Sequence, residues 1–175
     1  MKNFITFFLA VFIMMPSSAE IITGGIEYNT NSARAELLNT KRPDVSAELL
    51  KSNITDSNFS ENTNFLLKGI TDLQDRTLGL FSDKSYAVIY KDNPTYVWYY
   101  NPSGVLTHSE VKTGLEYPCK TFKYTPDNRL VNMSLRVSKQ ETFIYNPNGK
   151  LIAHWLYNNC YDENNNIIMT RKIFE

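Results

Sequence analysis

The sequence has few of the residues that build active sites and metal centres. It contains two histidines, His108 and His154, and two cysteines, Cys119 and Cys160, among 175 residues. A zinc site takes several such ligands, and no HxxxH or CxxC spacing supplies them. The GxSxG, HExxH and Walker patterns are also missing. We therefore predict that the chain is not an enzyme and holds no metal or cofactor.

Neither sign of charge is in excess. The chain has 18 Lys and Arg residues and 18 Asp and Glu residues. Binding to nucleic acid needs a concentrated basic surface that displaces counterions, and binding to anionic lipid needs a polybasic segment. We therefore predict that the chain binds neither nucleic acid nor a charged membrane surface.

The apolar run at the start of the chain is too short to span a bilayer. Residues 4–15 are apolar except for one threonine, and as a helix they would rise ~18 Å against a hydrocarbon core of ~30 Å. Lys2 precedes the run, Pro16 follows it, and Ser17 and Ala19 form a small-x-small cleavage pattern. This is the layout of a secretory signal peptide. We predict cleavage after Ala19, a secreted or periplasmic protein, and no membrane insertion after cleavage.

Cysteine is scarce, but both residues lie in the predicted exported part. In an oxidising compartment an even number of cysteines usually forms disulfides. A bridge between Cys119 and Cys160 would close a loop of about 40 residues and stabilise the fold by roughly 4 kcal/mol in the chain-entropy model. We predict this disulfide. The alternative is a reactive thiol.

The rest of the chain divides into two parts. Residues 20–75 are predicted to be a helical or partly disordered segment and linker, and residues 76–175 a β-hairpin domain. Two segments with a shared AELL core, residues 32–38 and 45–51, predict short amphipathic helices.

Two further predictions concern the end of this first part. Residues 52–64 are dominated by polar side chains, which is typical of a solvated linker. One more helix is predicted over residues 65–73. Helices this short are unstable alone in water, so they must either dock on the β part or remain mobile, and the sequence leaves both alternatives open.

Four turn segments share one pattern, in which an aliphatic residue follows a tyrosine by six positions. The pairs are Tyr100 and Leu106, Tyr124 and Leu130, Tyr145 and Leu151, and Tyr161 and Ile167. Asn, Thr or Asp at the first turn position caps the turn, and Gly or Asn at the fourth takes the left-handed conformation that closes a three-residue loop with a bulge. The tyrosine and the aliphatic residue then become cross-strand neighbours, a contact worth ~0.2–1 kcal/mol.

An earlier hairpin is predicted between residues 78–81 and 86–90, around a turn at Asp83 to Ser85. With the four repeated turns, this gives a mainly β fold. We predict an antiparallel β-meander of hairpin repeats with about eight strands, preceded by short N-terminal helices.

The repeated unit Y-x-P-x-G-x-L resembles the YD repeats of Rhs-type proteins and the MORN-variant repeats of an antitoxin-like family. The resemblance covers residues 95–170. It implies a β-meander used as a scaffold or an interaction surface, and it implies no catalysis.

Several strands carry large aromatic residues that alternation places on one face. Tyr96, Trp98 and Tyr100 share one such row, and Trp155 and Tyr157 share another. An exposed aromatic row would be a binding platform for sugar rings or for a protein. The alternative is ordinary packing within the core.

Three functions are compatible with these patterns. The first is an exported, non-catalytic binding or structural module, whose partner would be a protein or a cell-envelope polymer. The second is a carbohydrate or cell-wall binder that uses an exposed aromatic face. The third is a small hydrolase that uses His108 or His154 as a base, which would require a histidine beside a carboxylate in a cavity.

Overall fold

The computed structural model describes residues 28–45, 55–65 and 69–171. The predicted signal peptide, residues 1–19, and all but the first residue of the second AELL segment lie outside the described residues. Two helices are present among the described residues, α1 (Thr30–Asn39) and α2 (Phe59–Phe65). The strands are β1 (Ile70–Asp72), β2 (Arg76–Leu80), β3 (Tyr86–Tyr90), β4 (Tyr96–Tyr100), β5 (Leu106–Lys112), β6 (Cys119–Tyr124), β7 (Leu130–Arg136), β8 (Glu141–Tyr145), β9 (Leu151–Leu156), β10 (Asn159–Tyr161) and β11 (Ile167–Thr170).

All eleven strands form one antiparallel sheet, in which each strand pairs with the next along the chain. This confirms the predicted β-meander, with three strands more than the predicted eight. One of the additional strands, β1, has only three residues, and a run this short carries little alternation from which a strand could be predicted.

The repeated turns have the geometry that their spacing predicts. In all four, the tyrosine lies opposite the aliphatic residue six positions later, beside a register shift typical of a bulge. The fourth turn position has a positive φ in each. These residues are Gly104, Asn128, Gly149 and Asn165. The first turn residue caps the loop, as when Asn101 Oδ1 accepts hydrogen bonds from the amides of Ser103 and Val105.

The sheet has two faces of different character. Face A carries large apolar and aromatic side chains, and both helices pack on it. Ala33 and Leu37 of α1 lie in one core cluster with Phe122 and Phe143. Phe59 of α2 packs against a second cluster on β2 to β5. Both described helices therefore dock on the sheet, which decides between docking and mobility for the first AELL segment.

Face B carries smaller apolar clusters together with polar and titratable groups. Ala87, Ile89 and Val97 form a buried cluster near one end. Ile144 and Trp155 form another, towards β10.

The sheet begins earlier than predicted. Ile70–Asp72 is strand β1, so the helix predicted over residues 65–73 is wrong there. Gly69 has a φ of +77°, and the Leu80 amide donates to its carbonyl, which places the chain in the sheet. The polar stretch at 52–64 contains α2 instead of a purely solvated linker, because Asp56 and Asn62 are buried and hydrogen-bonded to each other (2.8 Å).

The predicted disulfide is not formed. Cys119 and Cys160 are both free and buried, and they lie on β6 and β10. Strands in a sheet are ~4.8 Å apart, so four intervals separate the two residues by roughly 19 Å. A disulfide requires Cα atoms within ~7 Å. Sequence spacing alone could not reveal this, because the separation depends on the number of strands between the two cysteines.

Substitution of Gly104 by alanine is expected to destabilise the first repeated turn. Its φ is +75°, and an added Cβ would lie 2.5 Å from Phe59 Cδ2 of α2. Left-handed backbone alone costs a non-glycine residue ~1–2 kcal/mol, and the clash adds to this. Urea denaturation is expected to give a loss of at least ~2 kcal/mol for Gly104→Ala. Gly114→Ala is the control, since that site has negative φ and open space; equal losses would contradict this explanation.

Candidate functional site

The described residues show neither a metal centre nor a membrane-spanning helix. They contain no group of three or more His, Cys, Asp or Glu side chains placed to hold a metal ion. Among them, no helix has the length and apolar character needed to cross a bilayer.

The predicted aromatic rows are largely buried. Trp98, Tyr100 and Trp155 lie in the core, and Tyr96 stacks on Trp98 with ring centroids 5.9 Å apart. Trp155 is covered by the Arg171 guanidinium, 4.6 Å above its ring. Tyr157 is 63% exposed, but it follows the last residue of β9 and has positive φ. The five aromatic residues therefore do not form an exposed platform.

A buried polar network fixes α2 to face A. The Tyr86 hydroxyl donates to Asp56 Oδ2 (2.7 Å), and Asn62 Nδ2 donates to the same oxygen (2.8 Å). Arg76 Nε donates to Asn62 Oδ1 (2.8 Å), and its guanidinium also pairs with Glu61 and Asp75. Burial, followed by the neighbouring Asp56, raises the pKa of Tyr86 well above its usual value. Asp56, Asn62 and Tyr86 thus form buried hydrogen bonds with one another, and the network joins α2 to the sheet.

Two of the four repeat tyrosines hold the N-terminal segment through their hydroxyl groups. Tyr124 donates to the carbonyl of Pro43 (2.8 Å), and Tyr145 donates to the carbonyl of Thr30. Burial raises the pKa of Tyr145 to about 12. Tyr124 and Tyr145 therefore have a second role that the sequence pattern does not reveal: they bind the chain segment that covers face A.

His154 lies on face A and makes a pair with a carboxylate. Its Nε2 lies 2.9 Å from Glu141 Oε1, and its ring stacks on Phe143 at 4.2 Å. No hydroxyl or thiol group of the described residues hydrogen-bonds the imidazole. The pair lacks the nucleophile that a serine- or cysteine-type hydrolase requires.

His108 lies on face B within a group of titratable side chains from β4, β5 and β6. Tyr99 stacks on its ring at 4.1 Å and donates a hydrogen bond to Glu110 Oε2 (3.1 Å). Lys123 is the cross-strand neighbour of Glu110, and Thr107 Oγ1 lies 3.0 Å from His108 Nδ1.

Burial shifts the pKa values of this group towards the uncharged forms. It lowers the pKa of His108 to about 3, with a further contribution from the charge of Lys123. It also raises the pKa of Glu110 and lowers that of Lys123. Groups shifted in this way are candidates for a functional site, but structural networks shift pKa values as well.

Acid sensitivity is expected to depend on His108. Because its pKa falls from 6.5 in the unfolded chain to about 3 in the fold, the unfolded state binds a proton first, and stability is lost as the pH falls from 6.5 towards 3. The loss approaches ~1.4 kcal/mol per pH unit. Urea denaturation at pH 7, 5.5 and 4.5 should show His108→Gln losing less stability than the wild type.

Glu110 contributes to acid sensitivity with the opposite sign. Its raised pKa means that the fold takes up a proton before the unfolded chain does. This contribution is present in both proteins and cancels in their difference. If the free energy of unfolding fell equally with pH in the wild type and in His108→Gln, the role of His108 in acid sensitivity would be contradicted.

Ser109 and Lys112 have an SxxK spacing, which in some hydrolases joins a serine nucleophile to a lysine. Both residues lie on β5, where alternate side chains lie on opposite faces, so the hydroxyl and the amine are on different sides of the sheet. Ser109 is fully buried, and its Oγ has no hydrogen-bond partner in the described part of the chain. The spacing therefore does not form a catalytic pair.

The two edges of the sheet differ in how they are protected. β1 has three residues and includes Asp72, which pairs with Lys91 (3.0 Å). β11 is uncharged, and its apolar side chains are all exposed: Ile167 by 56%, Ile168 by 53% and Met169 by 39%. An exposed, apolar, uncharged edge strand is a template for pairing with another chain. The sequence contains this signal as the run Ile-Ile-Met-Thr, but only the strand order places the run at an edge.

Comparisons of this chain with protein-family models, with curated proteins and with solved structures found no match. The exposed strand β11 is one feature of the described residues that packing within the fold does not account for.

Proposed function

We propose that this chain is an exported, non-catalytic protein-binding module that pairs an extended segment of its partner with β11. The observation that supports this most directly is the exposed, uncharged character of β11. Strand addition supplies main-chain hydrogen bonds, and alternate side chains of the added strand contact the two faces of the sheet. The signal-peptide pattern at residues 1–19 supports export, and the resemblance to YD and MORN-variant repeats supports a role as an interaction surface.

The expected partner segment is apolar and uncharged. The side chains of β11 are two isoleucines, a methionine and a threonine, so β-branched or aromatic residues on the added strand would pack against them. The burial of Trp98 and Trp155 leaves the alternative of a sugar-binding aromatic face without structural support.

Selection of peptides from a random extended-peptide display library tests the proposed function. We expect enriched peptides to alternate β-branched or aromatic residues, and Ile168→Lys to weaken their binding by at least about tenfold, because it introduces a charge into the pairing edge. Ile70→Lys, on the opposite edge and 48% exposed, is the matched control. We expect it to change binding by less than about twofold.

A second experiment distinguishes main-chain hydrogen bonding from nonspecific contact between apolar side chains. N-methylation of alternate residues in an enriched peptide removes its amide donors without changing its side chains, and we expect it to abolish binding. The proposal would be overturned if no peptide is enriched, or if Ile168→Lys and Ile70→Lys weaken binding equally.

A further inference from the structure

The four repeat tyrosines differ in what covers them on face A. Tyr100 stacks on Tyr86 within the cluster that receives Phe59 of α2. Tyr124 and Tyr145 donate to carbonyl groups of the segment 28–45, which contains α1. The first three repeat units are therefore covered by N-terminal chain.

The fourth unit has the same tyrosine, but no helix or segment of the described residues covers it in this way. The Tyr161 hydroxyl accepts a long hydrogen bond from Asn159 (3.4 Å), and it donates to no acceptor among the described residues. Tyr161 lies opposite His154 on β9 and opposite Ile167 on β11. Leu156 is the next residue of β9 on the same face. We call these four residues, His154, Leu156, Tyr161 and Ile167, the fourth-unit surface.

We propose that the fourth-unit surface is the binding site for an amphipathic helix from a partner protein, which would pack on it as α1 packs on the preceding units. The α1 helix contributes Ala33 and Leu37, one turn apart, to the core over β5 to β8. It also contributes the Thr30 carbonyl that receives the Tyr145 hydroxyl. An equivalent helix over the fourth unit would place an Ala-Leu stripe on Leu156 and Ile167.

The same helix would supply a main-chain carbonyl to Tyr161. Burying the Tyr161 hydroxyl away from water without giving it an acceptor would be costly. The carbonyl groups inside a helix already accept hydrogen bonds, so the helix must end or bend near Tyr161, as α1 begins at Thr30. The stacked rings of Phe143 and His154 lie at the side of the fourth-unit surface that is nearer to α1. They limit how close the two helices can lie.

Charge adds a further constraint on the partner. On the covered units, Glu36 of α1 pairs with Lys120 of the sheet (3.0 Å). The fourth-unit surface is bordered instead by Glu141, which lies opposite Leu156 and has one carboxylate oxygen, Oε1, 2.9 Å from His154 Nε2. A basic side chain on the polar side of the partner helix would complement this carboxylate.

This inference does not depend on strand addition at β11. A helix on face A and a strand at the edge use different groups, so each can fail without the other. Both place the partner at the C-terminal end of the sheet.

The test uses a display library of helix-forming peptides on the template of residues 28–45, with the positions of Ala33 and Leu37 kept and the others varied. Selection is made on the full chain, and enriched peptides are measured against variants. We expect Leu156→Lys to weaken binding by at least about tenfold, since it would bury an amine under the helix. Tyr161→Phe removes one hydrogen bond, and about fivefold is expected.

Two controls keep the outcome decisive. Ile168→Lys, which is designed to block strand addition, should change helix binding by less than about twofold. Thermal denaturation checks that each variant is folded. If Leu156→Lys proves unstable, Tyr161→Phe still tests the proposal, because it keeps the aromatic ring and removes only the hydroxyl. The proposal is overturned if no helical peptide is enriched. It is also overturned if neither Leu156→Lys nor Tyr161→Phe weakens binding, because the peptide would then be displacing α1 from its own binding site.

Discussion

Asp56→Ala is expected to lower the free energy of unfolding by about 3–5 kcal/mol, the largest loss we predict for a single polar residue. Asp56 Oδ2 accepts hydrogen bonds from Tyr86 and Asn62, and Oδ1 accepts one from the Asn58 amide. Tyr86 and Asn62 are buried, so the substitution leaves two donors without water or a partner. Urea denaturation followed by circular dichroism measures the loss.

The matched control for Asp56→Ala is Glu61→Ala. Glu61 pairs with Arg76 at 2.8 Å, but its side chain is 60% exposed, and exposed pairs contribute ~0–1 kcal/mol. If the two variants lost similar amounts of stability, the network around Asp56 would not be buried as the structure has it.

Leu37→Ala is expected to destabilise the protein by about 2–4 kcal/mol and to release α1 from the sheet. Leu37 is 1% exposed and packs in the cluster formed by face A, so its removal leaves a cavity beneath the helix. Leu38 follows it in the sequence but is 42% exposed, and Leu38→Ala should cost less than about 1 kcal/mol. Thermal and urea denaturation of both variants measure the difference.

The consequence of Leu37→Ala extends to the tyrosines below α1. Release of the helix would remove the acceptor of the Tyr145 hydroxyl, so near-ultraviolet circular dichroism should change in Leu37→Ala and not in Leu38→Ala. Equal stability of the two variants would mean that α1 does not cover the sheet.

The hairpins could be predicted because their cause is local. A turn residue such as Gly149 or Asn165 fixes the loop, and the loop fixes the register of the tyrosine before it. The same reasoning applies to the early hairpin, where Lys84 supplies the positive φ.

The remaining features depend on contacts between distant residues. The helix α2 lies within a polar stretch and packs on the sheet because Asp56 accepts a hydrogen bond from Tyr86, 30 positions later. The disulfide between Cys119 and Cys160 was predicted from compartment alone, whereas the number of intervening strands excludes it. The exposure of β11 and the cover over Tyr145 likewise follow from strand order and helix placement, which composition does not determine.

Hydroxyl-radical footprinting of the purified protein tests most directly whether the C-terminal end of the sheet is open to a partner. The chain offers matched pairs of residues, since Met133 is fully buried and Met169 is exposed, and Tyr145 is fully buried whereas Tyr161 is half-buried. We expect rapid oxidation of Met169 and Tyr161 and protection of Met133 and Tyr145. Equal protection within both pairs would show that the end of the sheet is already covered, and would contradict both proposed binding surfaces.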